Sequence, residues 1–162
     1  MATKTPIRLT INHESYDVEV EPRWLLSDVI RHQLGLIGTH VGCEQGVCGA
    51  CTILVDGKPE RSCLVFAVQA EGADITTVEG LSTDPQHLTA LQESFRDHHA
   101  LQCGYCTSGM LLTATALLKK EPHPTEDAIR EALSGNVCRC TGYQFIVDAI
   151  LAVANGSKEV QE

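Results

Sequence analysis

The sequence predicts an α+β chain with strands gathered in its first half and helices in its second. Three observations carry that prediction. Apolar and polar residues alternate over residues 7–20 and again after residue 51, the two-residue period of half-buried strands. Beyond Gly80-Leu81 the alternation stops, and apolar residues recur every three or four positions, the helical period. The eight cysteines divide the same way, with Cys43, Cys48, Cys51 and Cys63 in the first half and Cys103, Cys106, Cys138 and Cys140 in the second.

Taken in order, Ile7, Leu9 and Ile11 alternate with polar residues, Asn12-His13 supplies a turn, and Tyr16, Val18 and Val20 alternate again. That is a β-hairpin. Behind Pro22, the positions of Leu25, Leu26, Val29, Ile30 and Leu34 fit a helix that Gly35 ends. Thr52 to Val55 reads as a strand, Asp56-Gly57 as a turn, and the segment through Cys63 as the return strand. Asp74 to Val78 supplies one more strand. Short strands across one helix make a module of roughly 80 residues, within the usual size of a domain.

Ser82-Thr83-Asp84-Pro85 is loop chemistry. Leu88, Leu91 and Phe95 mark the next helix, and Met110, Leu111, Ala114, Leu117 and Leu118 mark another that ends near Pro122. Thr125 is placed to N-cap a helix carrying Ile129 and Leu133, with Gly135 as its stop, and Ile146, Ala149, Ile150 and Val153 form the last stripe. Four short helices make a bundle whose ends bring Cys103 and Cys106 near Cys138 and Cys140. The expected division is residues 1–80, residues 81–155 and a polar, frayed tail over 156–162. The quartets differ in spacing, so the halves are not a repeat.

The chain has 162 residues, 43% hydrophobic but only 4% aromatic. Thin cores with few large side chains gain from metal crosslinks, so bound metal is expected to stabilise the fold. A net charge of −9 argues against nucleic acid as partner and otherwise speaks for solubility. No apolar region follows Lys4, and no run reaches the ~18 apolar residues of a membrane span. These features point to the cytoplasm. In a reducing compartment, eight cysteines serve as metal ligands more naturally than as disulfides.

Cys43, Cys48 and Cys51 are spaced C-x4-C-x2-C, with Cys63 following, a spacing that suits four-thiolate ligation of a [2Fe–2S] cluster. Gly42, Gly46 and Gly49 permit the backbone angles of a tight wrap, letting loop N–H groups approach the sulfurs. A structural zinc site, which prefers paired C-x2–4-C knuckles, fits this triplet poorly. Cys103-Gly104-Tyr105-Cys106 alone is compatible with a zinc knuckle or a dithiol redox pair, but its helical surroundings lack the preceding strand of the latter. Cys138-Arg139-Cys140 suits a compact cluster at helix ends, and Arg139 either offsets its charge or is an ordinary surface residue. His13, His32, His40, His87, His98, His99 and His123 form no metal-binding pair. With the cysteines sufficient for two clusters, histidine ligation of the Rieske kind is disfavoured. Dinucleotide, phosphate-loop and serine-elbow motifs are absent. Two clusters without a substrate site describe an electron conduit.

The three segments Gly42 to Cys51, Gln102 to Met110 and Gly135 to Tyr143, in that order, closely resemble the iron–sulfur subunit of the molybdenum hydroxylases, the xanthine dehydrogenase and aldehyde oxidase family. The resemblance runs from the first hairpin to Ala154. It implies a plant-ferredoxin-like β-grasp domain followed by a four-helix domain. It also implies two partners, a large subunit binding molybdenum with a pterin and a medium subunit binding FAD, commonly in a dimer of heterotrimers. Because the sequence ends soon after the helical region, it resembles the separate small subunit of such an assembly.

By the same resemblance, the cluster of Cys103, Cys106, Cys138 and Cys140 lies beside the pterin, and that of Cys43, Cys48, Cys51 and Cys63 faces the flavin. Gln102 is expected to hydrogen-bond the pterin, and Cys140 to touch it beyond its role as ligand. Single electrons pass from molybdenum through both clusters to FAD, and no residue of this chain is catalytic. The substrate implied first is an aromatic N-heterocycle, ahead of carbon monoxide, aldehydes, purines and aromatic acyl thioesters. Tyr105 and Ser108 stand where many relatives have phenylalanine and proline, and Ser108 frees a backbone N–H. A free-standing two-cluster ferredoxin and a structural zinc protein are the competing readings.

Overall fold

The computed structural model describes residues 3–82, 84 and 86–156. Strand alternation in the sequence becomes a hairpin of β1 (Thr5–Ile11) and β2 (Glu14–Val20), in antiparallel register from Thr5↔Val20 to Ile11↔Glu14. Asn12 and His13 both take positive φ, 52° and 67°, which a two-residue turn between right-twisted strands requires. A second hairpin joins β3 (Thr52–Val55) to β4 (Lys58–Arg61). Strand β5 (Asp74–Thr76) inserts between the two, parallel to β1 and antiparallel to β3, giving the order β2-β1-β5-β3-β4.

One face of the sheet buries Ile7, Leu9, Ile11, Ile53 and Ile75 against Leu26, Val29 and Ile30. These three come from the helix expected after Pro22, which is α-helical only over α1 (Leu26–Asp28) and widens to a π turn over Val29–Gln33. The amide of Leu34 reaches the Val29 carbonyl at 3.1 Å, and Gly35 leaves the helix at φ 73°. Two strands end earlier than the apolar pattern indicates. Cys63 lies in a 3₁₀ turn, Ser62–Leu64, rather than in the return strand, because the amide and hydroxyl of Ser62 both donate to the Cys51 carbonyl, at 3.3 and 2.8 Å. After β5, the Thr77 amide donates to Asn12 Oδ1 at 2.9 Å and the chain turns into a 3₁₀ segment, Val78–Gly80.

The second half contains α2 (Ala90–Asp97), α3 (Thr107–Lys120), α4 (Glu126–Leu133) and α5 (Gln144–Ala154). Leu88 falls outside α2 and is exposed, because Thr89 and Gln92 close a reciprocal cap between it and the helix. Thr125 caps α4 as the sequence indicates, its hydroxyl accepting from the Ala128 amide at 3.2 Å. Phe95, Met110, Ile129, Ile146 and Ile150 meet in one core shared by all four helices. The chain is therefore α+β. The tail expected over residues 156–162 lies outside the described residues from 157 onward, as do Thr83 and Pro85 of the loop before α2. No helix among the described residues is long and apolar enough to cross a membrane.

Candidate metal centres

Residues 43–51 form an irregular loop in front of β3 that folds back on its own sulfurs. The amides of Gln45 and Cys48 both donate to Cys43 Sγ, each at 3.4 Å. Positive φ is carried by Gly46, Gly49 and, unexpectedly for a side-chain-bearing residue, Glu44 at 53°. Gly42 does not need it; its bare Cα instead leaves room for Cys48 Sγ, which a Cβ there would meet at 3.2 Å. Cys51 and Cys63 are buried behind the loop, while Cys43 and Cys48 are half-buried.

The second quartet gathers at helix ends, as the spacing predicts. Cys103 and Cys106 precede α3, Cys138 follows α4, and Cys140 precedes α5. Cys140 and Cys103 place their sulfurs 3.5 Å apart. Cys138 is buried and receives two donors from Thr141, the amide at 3.4 Å and the hydroxyl at 3.1 Å. Tyr143, held left-handed at φ 70°, sends its phenol back to accept the Cys138 amide at 2.8 Å. Cys103 and Cys140 are exposed, as is Gln102, whose amide donates to the Cys140 carbonyl at 3.1 Å. Arg139 is exposed and makes no ion pair among the described residues.

Electrostatics separates the thiols. Amide donors from Cys48 and Gln45 hold the Cys43 thiol down at about 6. Burial, aided by the Cys51 thiol, pushes Cys63 up to about 11, and burial with Cys138 raises Cys106 to about 12. The Tyr105 amide lowers Cys103, whose thiol in turn raises Cys140. Burial opposes ionisation of Cys138, but the Thr141 hydroxyl and amide outweigh it and lower that thiol.

All eight cysteines are free, and the hydrogen bonds between their thiols pair Cys43 with Cys48, Cys51 with Cys63, Cys103 with Cys140 and Cys106 with Cys138, while weaker charge interactions join Cys63 to Cys43 and Cys103 to Cys138 within each quartet. Two thiol pairs per site fit a two-iron core in which each iron takes two thiolates. Among the described residues no three His, Cys, Asp or Glu side chains converge as a cage for a single ion would need. The donor set, the amides aimed at sulfur and the side-chain-free approach at Gly42 all suit a bound [2Fe–2S] group.

Residues that spacing alone did not single out join the two loops. Val137 N–H donates to the Cys48 carbonyl at 2.8 Å, directly linking the two cysteine segments. Asn136 is buried, donates to the Gly49 carbonyl at 3.1 Å and accepts from Thr113 Oγ1 at 3.1 Å. Arg61 donates to Thr52 Oγ1 and to the Gly135 carbonyl, at 2.6 and 2.7 Å. At Gly109 on α3, a Cβ would collide with the Gly49 carbonyl, so only glycine allows helix and loop to touch. Tyr105 donates to the Val41 carbonyl at 2.7 Å and stacks on His40, ring centroids 4.7 Å apart. His40 is thus a histidine that does touch the site, as a packing partner rather than a ligand.

Comparison with known proteins agrees with this geometry. A 2Fe-2S iron-sulfur cluster binding domain family matches residues 9–82, and a [2Fe-2S] binding domain family matches residues 77–151. The caffeine dehydrogenase subunit gamma of Pseudomonas sp. (strain CBB1) is 53% identical over 151 residues, covering 91% of this chain and 90% of that one. The nicotine 6-hydroxylase small subunit of Paenarthrobacter nicotinovorans is 51% identical over 156 residues, 93% of each chain. Among solved structures, a chain of quinoline 2-oxidoreductase from Pseudomonas putida 86 superposes with a TM-score of 0.91 at 57% identity, covering 94% of both chains. An aldehyde oxidoreductase from Desulfovibrio gigas contains the same fold as 18% of a longer chain, with a TM-score of 0.88 and 42% identity. The chain belongs to the small iron–sulfur subunits of the molybdenum hydroxylases, carrying two [2Fe–2S] domains.

Proposed function

We propose that this chain is the electron-transfer subunit of a heterotrimeric molybdenum hydroxylase, set between a large subunit with a molybdenum–pterin centre and a medium subunit with FAD. The observation that carries the reading is the joint between two thiol quartets, closed by the Val137 to Cys48 backbone hydrogen bond of 2.8 Å. Cys43, Cys48, Cys51 and Cys63 ligate one cluster, and Cys103, Cys106, Cys138 and Cys140 the other. Bound there, each [2Fe–2S] group takes up and releases one electron at a time. The residues of the chain fix the separation of the two sites, keep water from Cys51, Cys63 and Cys138, and direct amides at the sulfurs.

Gln102 and Cys140 form the face toward the pterin. The hydrogen bond from Gln102 to the Cys140 carbonyl sets the exposed amide beside that cysteine. Exposed Val47 and Leu64 make an apolar rim around the other quartet, suited to the medium subunit. The sheet order with its helix supports a ferredoxin-like β-grasp over residues 1–80, and the shared core of α2 to α5 supports a four-helix bundle over residues 81–155. The assembly is a dimer of heterotrimers in the cytoplasm. The substrate is an aromatic N-heterocycle, since caffeine, nicotine and quinoline name relatives of this chain and all contain such rings. Substrate chemistry belongs to the large subunit.

Recovery of the native complex by a tag on this chain tests the proposal through its contents. The expected yield is about four irons and four sulfides per chain, as two [2Fe–2S] groups require, together with molybdenum and FAD. Iron and sulfide without molybdenum and flavin would instead identify a free-standing ferredoxin.

A further inference from the structure

We infer that the Thr141 hydroxyl is a positioning group that raises the reduction potential of the cluster held by Cys138. This rests on the ligand assignment above and concerns what tunes that site. Thr141 is buried, and its hydroxyl oxygen lies 3.1 Å from Cys138 Sγ with the geometry of a donor. A hydroxyl has one proton, so its orientation decides the effect. The Tyr143 amide donates to Thr141 Oγ1 at 3.1 Å, which occupies the oxygen as acceptor and leaves its proton for the sulfur.

The backbone enforces that relay. Gly142 and Tyr143 both sit at positive φ, 68° and 70°, a conformation that strains a bulky residue such as tyrosine and persists where surroundings impose it. The Tyr143 phenol supplies part of the imposition, accepting the Cys138 amide at 2.8 Å. The turn therefore diverts the amide of Cys138 to a phenol while directing a hydroxyl and a second amide, from Thr141, at its sulfur. No hydroxyl donor to sulfur is found among the described residues of the first quartet, where Cys43 Sγ receives the amides of Gln45 and Cys48 beside the Cys48 thiol.

Reduction adds one negative charge to a cluster, and a hydrogen bond donated to a ligand sulfur is stronger in the more negative state. Its donor therefore favours the reduced form and raises the potential. Burial strengthens the effect, because the local dielectric is low and water does not substitute for the hydroxyl.

Thr141→Val removes the hydroxyl and keeps the branched shape, while Thr141→Ser restores it. The measurement is an anaerobic potentiometric titration of the whole complex, with the two clusters followed separately by their electron paramagnetic resonance signals. In Thr141→Val we expect one cluster's reduction equilibrium to fall by about tenfold, a downward shift of about 59 mV for a one-electron couple. The serine variant returns it toward the starting value, and the other cluster does not move. Unmoved midpoints with both clusters loaded, equal shifts of both, or no rescue by serine each overturn the inference. If the valine variant does not load its cluster, Thr141→Ala against Thr141→Ser carries the comparison, and equal midpoints in that pair overturn it. Failure of the ligand assignment looks different: the unaltered complex would show no second [2Fe–2S] signal.

Discussion

Asn136 occupies the joint between the two loops with both ends of its amide engaged, which makes it a sensitive single position. Its NH2 group serves the Gly49 carbonyl and its oxygen takes the Thr113 hydroxyl, all out of solvent. Asn136→Ala leaves the buried Thr113 hydroxyl without its acceptor, at about 1–3 kcal/mol for an orphaned group, while the Gly49 carbonyl keeps the Thr52 hydroxyl at 2.6 Å. A lowered urea midpoint of the cluster-loaded complex is the expected result. Tyr105→Phe is milder, since the ring still stacks on His40 and only the half-exposed hydrogen bond to Val41 is lost. The expected loss is at most about 1 kcal/mol with iron content unchanged, checked by the same titration and an iron assay. The cysteines were legible in the sequence because thiolate ligation imposes short, fixed spacings. The contacts of these two residues were not, because their partners lie far away along the chain: 87 positions from Asn136 to Gly49 and 64 from Tyr105 to Val41.

At the scale of elements, α3 is the piece that carries one module onto the other. It packs against β3 and brings Gly109 up to the Gly49 carbonyl. Glycine inside a helix normally costs about 1 kcal/mol relative to alanine, so an unconstrained Gly→Ala change would stabilise. Here the sign reverses: Gly109→Ala forces α3 away from the cysteine loop and lowers the thermal midpoint of the loaded protein, and a raised midpoint would show that the contact is dispensable. Helices and strands were legible from periodicity, and the Thr125 cap from its residue type. The ends of elements were less so. Cys63 left its strand because the Ser62 hydroxyl bonds the Cys51 carbonyl, and the helix after Pro22 widened to a π turn while keeping its apolar residues on the core. Local hydrogen bonding of this kind has no counterpart in a hydrophobic pattern.

For the whole molecule, two modest cores share a joint lined by cysteine loops, and neither core holds many large side chains. Among the described aromatic residues only Phe95 is fully buried in either core. On the proposed ligand assignment, cluster ligation ties loops to both cores, so its free energy becomes part of folding free energy. Removal of iron with a chelator under reducing conditions is expected to lower the thermal midpoint and loosen the joint, read as faster amide exchange at Gly49 and Val137. An unchanged melting curve would mean that the protein parts alone hold the fold. The α+β class and both quartets followed from sequence; the contact between the modules required the folded chain.

The central claim, that electrons enter this chain from a molybdenum partner acting on an N-heterocycle, is tested most directly by the visible iron–sulfur absorbance of the native complex. Candidate heterocycles are added one at a time without oxygen. Bleaching by one of them, followed by recovery when an electron acceptor is supplied, is the predicted result. A complex whose absorbance responds to a chemical reductant or to an aldehyde, and to none of the heterocycles, purines included, would contradict it.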